Sequence, residues 1–184
     1  MPTIQTLLLN LWLFFCPQYV PMPFTKAGGS HGTFGDTTIE ATTNNPDLGE
    51  LVAAKFSSPA TTGTVSSMSV YASSSSTCAV KTEIYADSSG TPGALLADSS
   101  AVTVTGATPA WYNTTISYAF SASTNYWLNV YVGCAATNLV IYTNHGGATN
   151  QLSFLTGQAY PTAPNPFGTP GGQVPWYFSI YATY

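Results

Sequence analysis

The sequence predicts an all-β domain, an antiparallel β-sandwich of about eight strands in two packed sheets. Short β-prone runs recur along the chain, turns rich in Ser, Gly, Pro, Asn and Thr separate them, and no helical periodicity of useful length is present. In the run YWLNVYV, Trp127, Asn129 and Tyr131 alternate with their neighbours, as expected of a strand with one buried face. The predicted strands are 51–57, 64–72, 79–86, 94–105, 111–120, 126–132, 138–143 and 177–184.

Two connections between these strands have distinctive turn chemistry. The run DSSGTPG, at 87–93, combines Asp, Ser, Gly and Pro and predicts a hairpin between its flanking strands. The stretch 157–175 contains five Pro and four Gly around a few apolar residues. It predicts a long surface loop, and loops of this length are usually functional or interfacial.

The charge content is unusually low and limits the partners. Only 5% of residues are charged, and the three basic residues are all Lys, so no basic patch can neutralise phosphates and nucleic acid is excluded. The last charged residue is Asp98, which leaves 99–184 without formal charge. Such a surface does little to keep copies of the chain apart and tolerates dense self-packing, so copies of itself are the first expected partner.

The first 34 residues are predicted to be separate from the sandwich at 35–184. They hold an apolar run, TLLLNLWLFFC at 6–16, and a Gly-rich link. The run is too short for a membrane span of roughly 20 residues, and no transmembrane anchor is expected elsewhere. It is either a signal-peptide core, although no Lys or Arg precedes it, or a retained element that packs into a neighbouring subunit. In the second case its interface residues are Leu7, Leu8, Leu9, Leu11, Trp12, Leu13, Phe14 and Phe15.

Three cysteines are present, at positions 16, 78 and 134. If Cys16 belongs to the separate N-terminal segment, Cys78 and Cys134 can pair in an oxidising compartment, since each lies near a predicted strand end. The alternative is two buried free thiols, because free Cys packs as a small hydrophobe.

The residue inventory argues against an enzyme. All seven carboxylate side chains lie within the first 98 residues, no GxSxG motif occurs, and His31 and His145 are the only histidines. His145, beside two glycines, is most simply a turn residue. The alternative is that its side chain contacts a bound sugar or metal. No cofactor is expected except calcium, for which Asp36 and Asp47 are the candidate ligands. The simpler interpretation is that these carboxylates are solvated side chains that keep the first strand of the domain in contact with water.

Aromatic residues offer the other candidate site. Trp176, Tyr160 and Trp111 could stack on a sugar ring with their flat apolar faces, although most aromatics of a sandwich belong to its core. Tyr160 lies near the start of the proline-rich loop at 157–175 and Trp176 directly follows it, and His145 completes the set of predicted ligand-binding residues.

Three segments carry a resemblance to a known kind of domain: KTEIYADSSGTPGALLAD at 81–98, YWLNV at 126–130 and the closing SIYATY at 179–184. Over about residues 35–184 the chain resembles the recurrent jelly-roll domain of secreted archaeal and bacterial surface proteins and some phage structural proteins. The resemblance implies a jelly-roll fold, similar to carbohydrate-binding sandwiches, and no catalysis. The expected function is a structural or adhesive subunit of an extracellular surface, filament or virion; the alternative is a secreted carbohydrate-binding module.

Overall fold

The structure is a computed structural model that describes residues 31–135 and 137–184. The candidate interface residues in 7–15 lie outside this range. The described strands are β1 (Thr33–Gly35), β2 (Thr42–Asn44), β3 (Leu51–Ser57), β4 (Gly63–Ser74), β5 (Cys78–Ser88), β6 (Thr91–Asp98), β7 (Val102–Val104), β8 (Ala110–Phe120), β9 (Asn125–Val132), β10 (Leu139–Asn144), β11 (Leu152–Leu155), β12 (Gly172–Val174), β13 (Tyr177–Phe178) and β14 (Ile180–Thr183).

These strands form two antiparallel sheets, which confirms the all-β prediction. Sheet A has the order β1-β14-β4-β10-β13, with β2 also paired to β10 and β8 also paired to β4. Sheet B has the order β12-β11-β3-β9-β5-β6, with β7 also paired to β5. In the described part of the chain no helix is long and apolar enough to cross a membrane.

The described strands number fourteen, more than the eight predicted. The predicted run 94–105 divides into β6 and β7, and 177–184 divides into β13 and β14. The remaining extra strands are β1, β2, β11 and β12, each of three or four residues. Strands of this length have too few residues to repeat a hydrophobic pattern. They are defined by their hydrogen bonds to the strands beside them. One of them, Thr33–Gly35, lies in the predicted link and pairs with β14.

The main core lies between the sheets, as in a β-sandwich, and strand alternation fills it from both sides. On β4 of sheet A, Met68, Val70 and Ala72 are buried in this core, and on β9 of sheet B, Leu128 and Val130 meet them. Because successive side chains of a strand point to opposite faces, the residues between these positions lie on the outer faces of the sheets.

The hairpin predicted from DSSGTPG joins β5 to β6. Ser88 pairs with Thr91, and the two residues between them, Ser89 and Gly90, both have positive φ, at 54° and 88°. Two positive φ angles in a two-residue loop match a type I′ turn, which favours glycine at its second position. The Asp87 carboxylate accepts a 3.2 Å hydrogen bond from the Gly90 amide and supports the turn.

Cys78 and Cys134 form a disulfide in the structure, with their Cα atoms 5.2 Å apart. Cys78 begins β5, and Cys134 follows β9. These two strands are neighbours in sheet B, where Val80 pairs with Val132, so the disulfide links two adjacent strands near one end.

Candidate functional site

Four aromatic side chains form a continuous row on the outer face of sheet A. Tyr71 on β4 and Trp111 on β8 are directly opposite in register, with ring centroids 5.2 Å apart. Tyr142 on β10 packs edge-on against Tyr71 at 5.1 Å, and Tyr181 on β14 packs edge-on against Trp111 at 4.9 Å. All four are partly exposed. We call these four residues the aromatic row.

The positions around the aromatic row carry no charge. The neighbouring outward residues are Ser, Thr and Asn, and one pair, Asn113 and Ser69, is joined by a 3.4 Å hydrogen bond. A charged group approaches at the margin, where the Glu40 carboxylate accepts a 2.9 Å hydrogen bond from the Asn144 amide. The face is therefore rich in aromatic rings and hydroxyl groups, with a carboxylate at its margin. The uncharged neighbours are Ser67, Ser69, Asn113, Thr115 and Thr183.

A second feature is a cleft of about 350 Å³ at one edge of the sandwich, which we call the edge cleft. It lies where β2 of sheet A faces β3, β11 and β12 of sheet B. Its floor is apolar, and Asn44, Glu50 and Trp176 complete its wall. Asn44 pairs with Ile141, whose side chain is in the core, so the register turns Asn44 towards the space between the sheets. The floor consists of Val52, Leu152, Phe154 and Val174.

Trp176 and His145, two of the four predicted ligand-binding residues, stack on one another. Their ring centroids are 3.8 Å apart and their planes differ by 12°. The cause is the pairing of β10 with β13: Asn144 is opposite Tyr177, so the residues next to this pair, His145 and Trp176, also meet. The exposed imidazole therefore supports one face of the indole at the wall of the edge cleft.

The polar groups of the edge cleft keep unused hydrogen-bonding capacity. The Asn44 side-chain oxygen accepts a bond from the Asn45 amide at 3.0 Å, and Glu50 Oε2 accepts one from the Asp47 amide at 2.8 Å. Within the described residues, Asn44 Nδ2 and Glu50 Oε1 have no partner. Burial raises the pKa of Glu50, and the nearby Asp47 carboxylate adds to this effect while the Asp47 amide opposes it.

The other two predicted ligand-binding residues lie elsewhere. Trp111 belongs to the aromatic row, and Tyr160 belongs to the proline-rich loop, which folds over the outer face of sheet B. The Tyr160 ring packs edge-on against Tyr131 at 5.0 Å, and its hydroxyl is buried. Phe167 of the same loop is fully buried and packs at right angles to Tyr85. Tyr160 thus helps to hold the loop on the sheet, and its ring is partly exposed.

A buried polar cluster lies beneath this loop, and it was not predicted from the sequence. Glu83 and Asn129 are opposite in register on β5 and β9, both are fully buried, and the Asn129 amide donates to the Glu83 carboxyl group. Burial raises the pKa of Glu83 to about 8. An ion pair borders the cluster, in which Lys81 Nζ lies 2.5 Å from Asp98 and also donates to the Pro161 carbonyl at 3.0 Å.

Four oxygens of this cluster are buried without a hydrogen-bond partner within the described residues. They belong to one carboxyl group, one amide and two phenols, which are Glu83 Oε1, Asn129 Oδ1, Tyr131 Oη and Tyr160 Oη. Burial also raises the pKa of Tyr131 to about 12, and Glu83 contributes to that shift. Since burying a charge is costly, burial favours the neutral form of the Glu83 carboxyl group, while Lys81 and the Asn129 hydrogen bond oppose this effect.

The two calcium candidates differ in their surroundings. Asp36 is buried, accepts a 2.9 Å bond from the Thr38 amide, and has its pKa raised by burial and by the nearby Glu40. Asp47 is exposed. Among residues 31–135 and 137–184, no three His, Cys, Asp or Glu side chains are grouped so that they could hold a metal ion.

The chain was compared with family models and with curated proteins. No family model matches the chain, and no match to a curated protein was found either. The resemblance to jelly-roll surface domains therefore remains a prediction from the residues that carry it.

Proposed function

We propose that this chain is a non-catalytic structural or adhesive subunit of the jelly-roll type, used in an extracellular surface, filament or virion assembly. The observation that carries the proposal is the aromatic row on the uncharged outer face of sheet A. Aromatic residues are enriched and charged residues depleted at the centre of protein interfaces, and this face has both properties.

The geometry of the aromatic row suits a contact surface. Its rings pack on each other, two pairs edge-on and one pair tilted, which fixes them before any partner arrives, so little side-chain entropy is lost on binding. Tyr71, Tyr142 and Tyr181 combine an apolar ring with a hydroxyl that can bond across the interface. The row itself carries no formal charge, and Glu40 at its margin is the charged group nearest to it in the contacts above, so a second copy of the same face meets little like-charge repulsion there.

The apolar run at 7–15 is the second proposed contact with another copy. The chain enters the sandwich at β1, which ends the strand order of sheet A. An edge strand offers unpaired main-chain groups to a strand from elsewhere, and an extended apolar segment of a neighbouring subunit could add to such an edge. If the run is instead removed as a signal peptide, this contact does not form.

The assembly proposal predicts that the full chain associates through the aromatic row. A variant with Tyr71→Ser and Trp111→Ser should weaken self-association about tenfold or more, because truncating central aromatic anchors removes most of the energy of an interface. Light scattering behind size-exclusion chromatography over a concentration series measures this, beside the intact mass of the native protein to locate its first residue.

The matched control for that experiment is Ile39→Ser with Leu48→Ser, which removes two exposed apolar side chains outside the row, 55% and 58% exposed. The control should associate like the parent chain. A parent chain that stays monomeric at its highest soluble concentration would contradict the assembly proposal. Equal weakening in both double variants would show that the row is not the interface.

A second candidate function is a secreted carbohydrate-binding module. The observation that favours it is Trp176, a partly exposed indole that is supported on one face by His145 and is one of the residues that line the edge cleft. Rigid aromatic rings beside polar groups are a common way to hold sugars. This function expects a monomer that binds glycans.

A further inference from the structure

We infer that the edge cleft binds one neutral sugar ring, with Trp176 against the apolar face of the ring and Asn44 and Glu50 bonded to two neighbouring hydroxyls. The inference rests on the second proposed function and assigns it a site and a class of ligand. It does not depend on assembly through the aromatic row.

The size and floor of the edge cleft suit such a ligand. Its volume of about 350 Å³ lies at the lower end of the range for small-molecule sites. The floor of Val52, Leu152, Phe154 and Val174 is apolar and matches the C–H groups of a pyranose. The lining holds no Lys or Arg, and Glu50 is its only charged residue. Because a carboxylate repels other anions, phosphorylated and sulfated ligands are disfavoured.

Trp176 is prepared to stack on a ring. His145 lies parallel to it at 3.8 Å and is not part of the cleft lining, so the indole surface turned to the cleft is not the one that His145 covers. The imidazole thus holds the indole in place, and His145 is a positioning residue. A platform fixed in this way loses little conformational freedom when a ligand binds.

Asn44 and Glu50 supply complementary polar groups. Asn44 Nδ2 is a donor and Glu50 Oε1 an acceptor, and within the described residues neither is used. A sugar hydroxyl both donates and accepts, so adjacent hydroxyls can take one bond from the amide and give one to the carboxylate. A hydrogen bond to the ionised carboxylate is stronger than one between neutral groups.

The test measures binding of three neutral probes to the full chain by calorimetry and indole fluorescence: the methyl pyranosides of glucose, galactose and mannose. At least one should bind and change the indole emission. Trp176→Ala should weaken that binding about tenfold or more, and Asn44→Ala and Glu50→Gln should each weaken it by about tenfold. The control is Ile39→Ala, which removes an exposed apolar side chain outside the edge cleft and should leave the affinity unchanged. Trp111→Ala tests the aromatic row as the alternative site. Circular dichroism confirms that each variant is folded.

The outcomes separate the inference from the function on which it rests. If no probe binds the parent chain and a panel of immobilised neutral glycans is also not bound, the carbohydrate-binding function and the inference both fail. If glycans bind but Trp111→Ala weakens binding while Trp176→Ala does not, the function stands and the edge cleft is the wrong site. If only Trp176→Ala weakens binding, the assigned hydroxyl contacts are wrong.

Discussion

Replacing both Cys78 and Cys134 with alanine is expected to lower the free energy of unfolding by about 4 kcal/mol. The two residues are 56 positions apart, so their disulfide restricts a large part of the unfolded chain and removes entropy from it. Cys78 is fully buried at the start of β5. The bond also keeps β5 and β9, two central strands of sheet B, together at one end.

Urea unfolding followed by far-UV circular dichroism measures this loss. The parent and the double variant should both carry Cys16→Ala, so that the third cysteine cannot exchange with the pair. The same parent with its disulfide reduced and blocked serves as the control and should lose a similar amount. Two thiols alkylated in the denatured, unreduced parent would contradict the bond, and an unchanged unfolding midpoint would contradict its contribution.

The long strands could be predicted from the sequence because they repeat their hydrophobic pattern several times. The prediction for β3, 51–57, matches the structure at both ends, and the predictions for β8 and β9 begin one residue late and end correctly. The short strands could not be predicted. The short strand β1 pairs Phe34 with Ala182, a residue far away in the chain, and local sequence does not encode that register.

The candidate site shows the same limit. Trp176 and His145 were selected separately, for reasons of residue type, and only the register of β10 with β13 brings them together. In the aromatic row, Trp111 was selected but Tyr71 was not. Tyr71 shares the period-two positions of Ser67 and Ser69, and this alternation was the available signal that it lies on the outer face.

Glu83 was missed for a different reason. It alternates with Ile84 on β5, so the pattern places it on the outer face of sheet B, where a carboxylate would ordinarily be solvated. The proline-rich loop covers that face, and Phe167 and Tyr160 anchor it there. Burial of an outward residue by a distant loop is a tertiary effect, which strand periodicity does not reveal.

Glu83→Gln is expected to stabilise the protein near pH 8 by a few kcal/mol and to flatten its dependence on pH. Burial raises the pKa of Glu83 to about 8 from an ordinary value of 4.5; the Asn129 hydrogen bond and Lys81 oppose that shift, and Asp98 adds to it. Between pH 4.5 and about 8 the folded protein holds a proton that the unfolded chain releases. Stability therefore falls as the pH rises through this window and levels off above it.

Glutamine keeps the shape of the neutral acid and needs no proton. Its amide can also donate to Asn129 Oδ1, one of the four unpartnered oxygens of the cluster. Parent and variant should thus be about equally stable at pH 4 and should diverge as the pH rises. Denaturant midpoints measured from pH 4 to pH 9 give both curves.

Asp47→Asn is the matched control, since it removes an exposed carboxylate that does not contribute to the pKa of Glu83. Because Asp47 helps to raise the pKa of Glu50, the stability of this variant should depart slightly from the parent curve, and far less than that of Glu83→Gln. Parallel curves for the parent and Glu83→Gln would mean that Glu83 ionises in the folded protein as it does in the unfolded chain. A variant less stable than the parent at pH 8 would mean that the carboxylate itself is needed beneath the loop, with Lys81 as the nearest cation in position to compensate it.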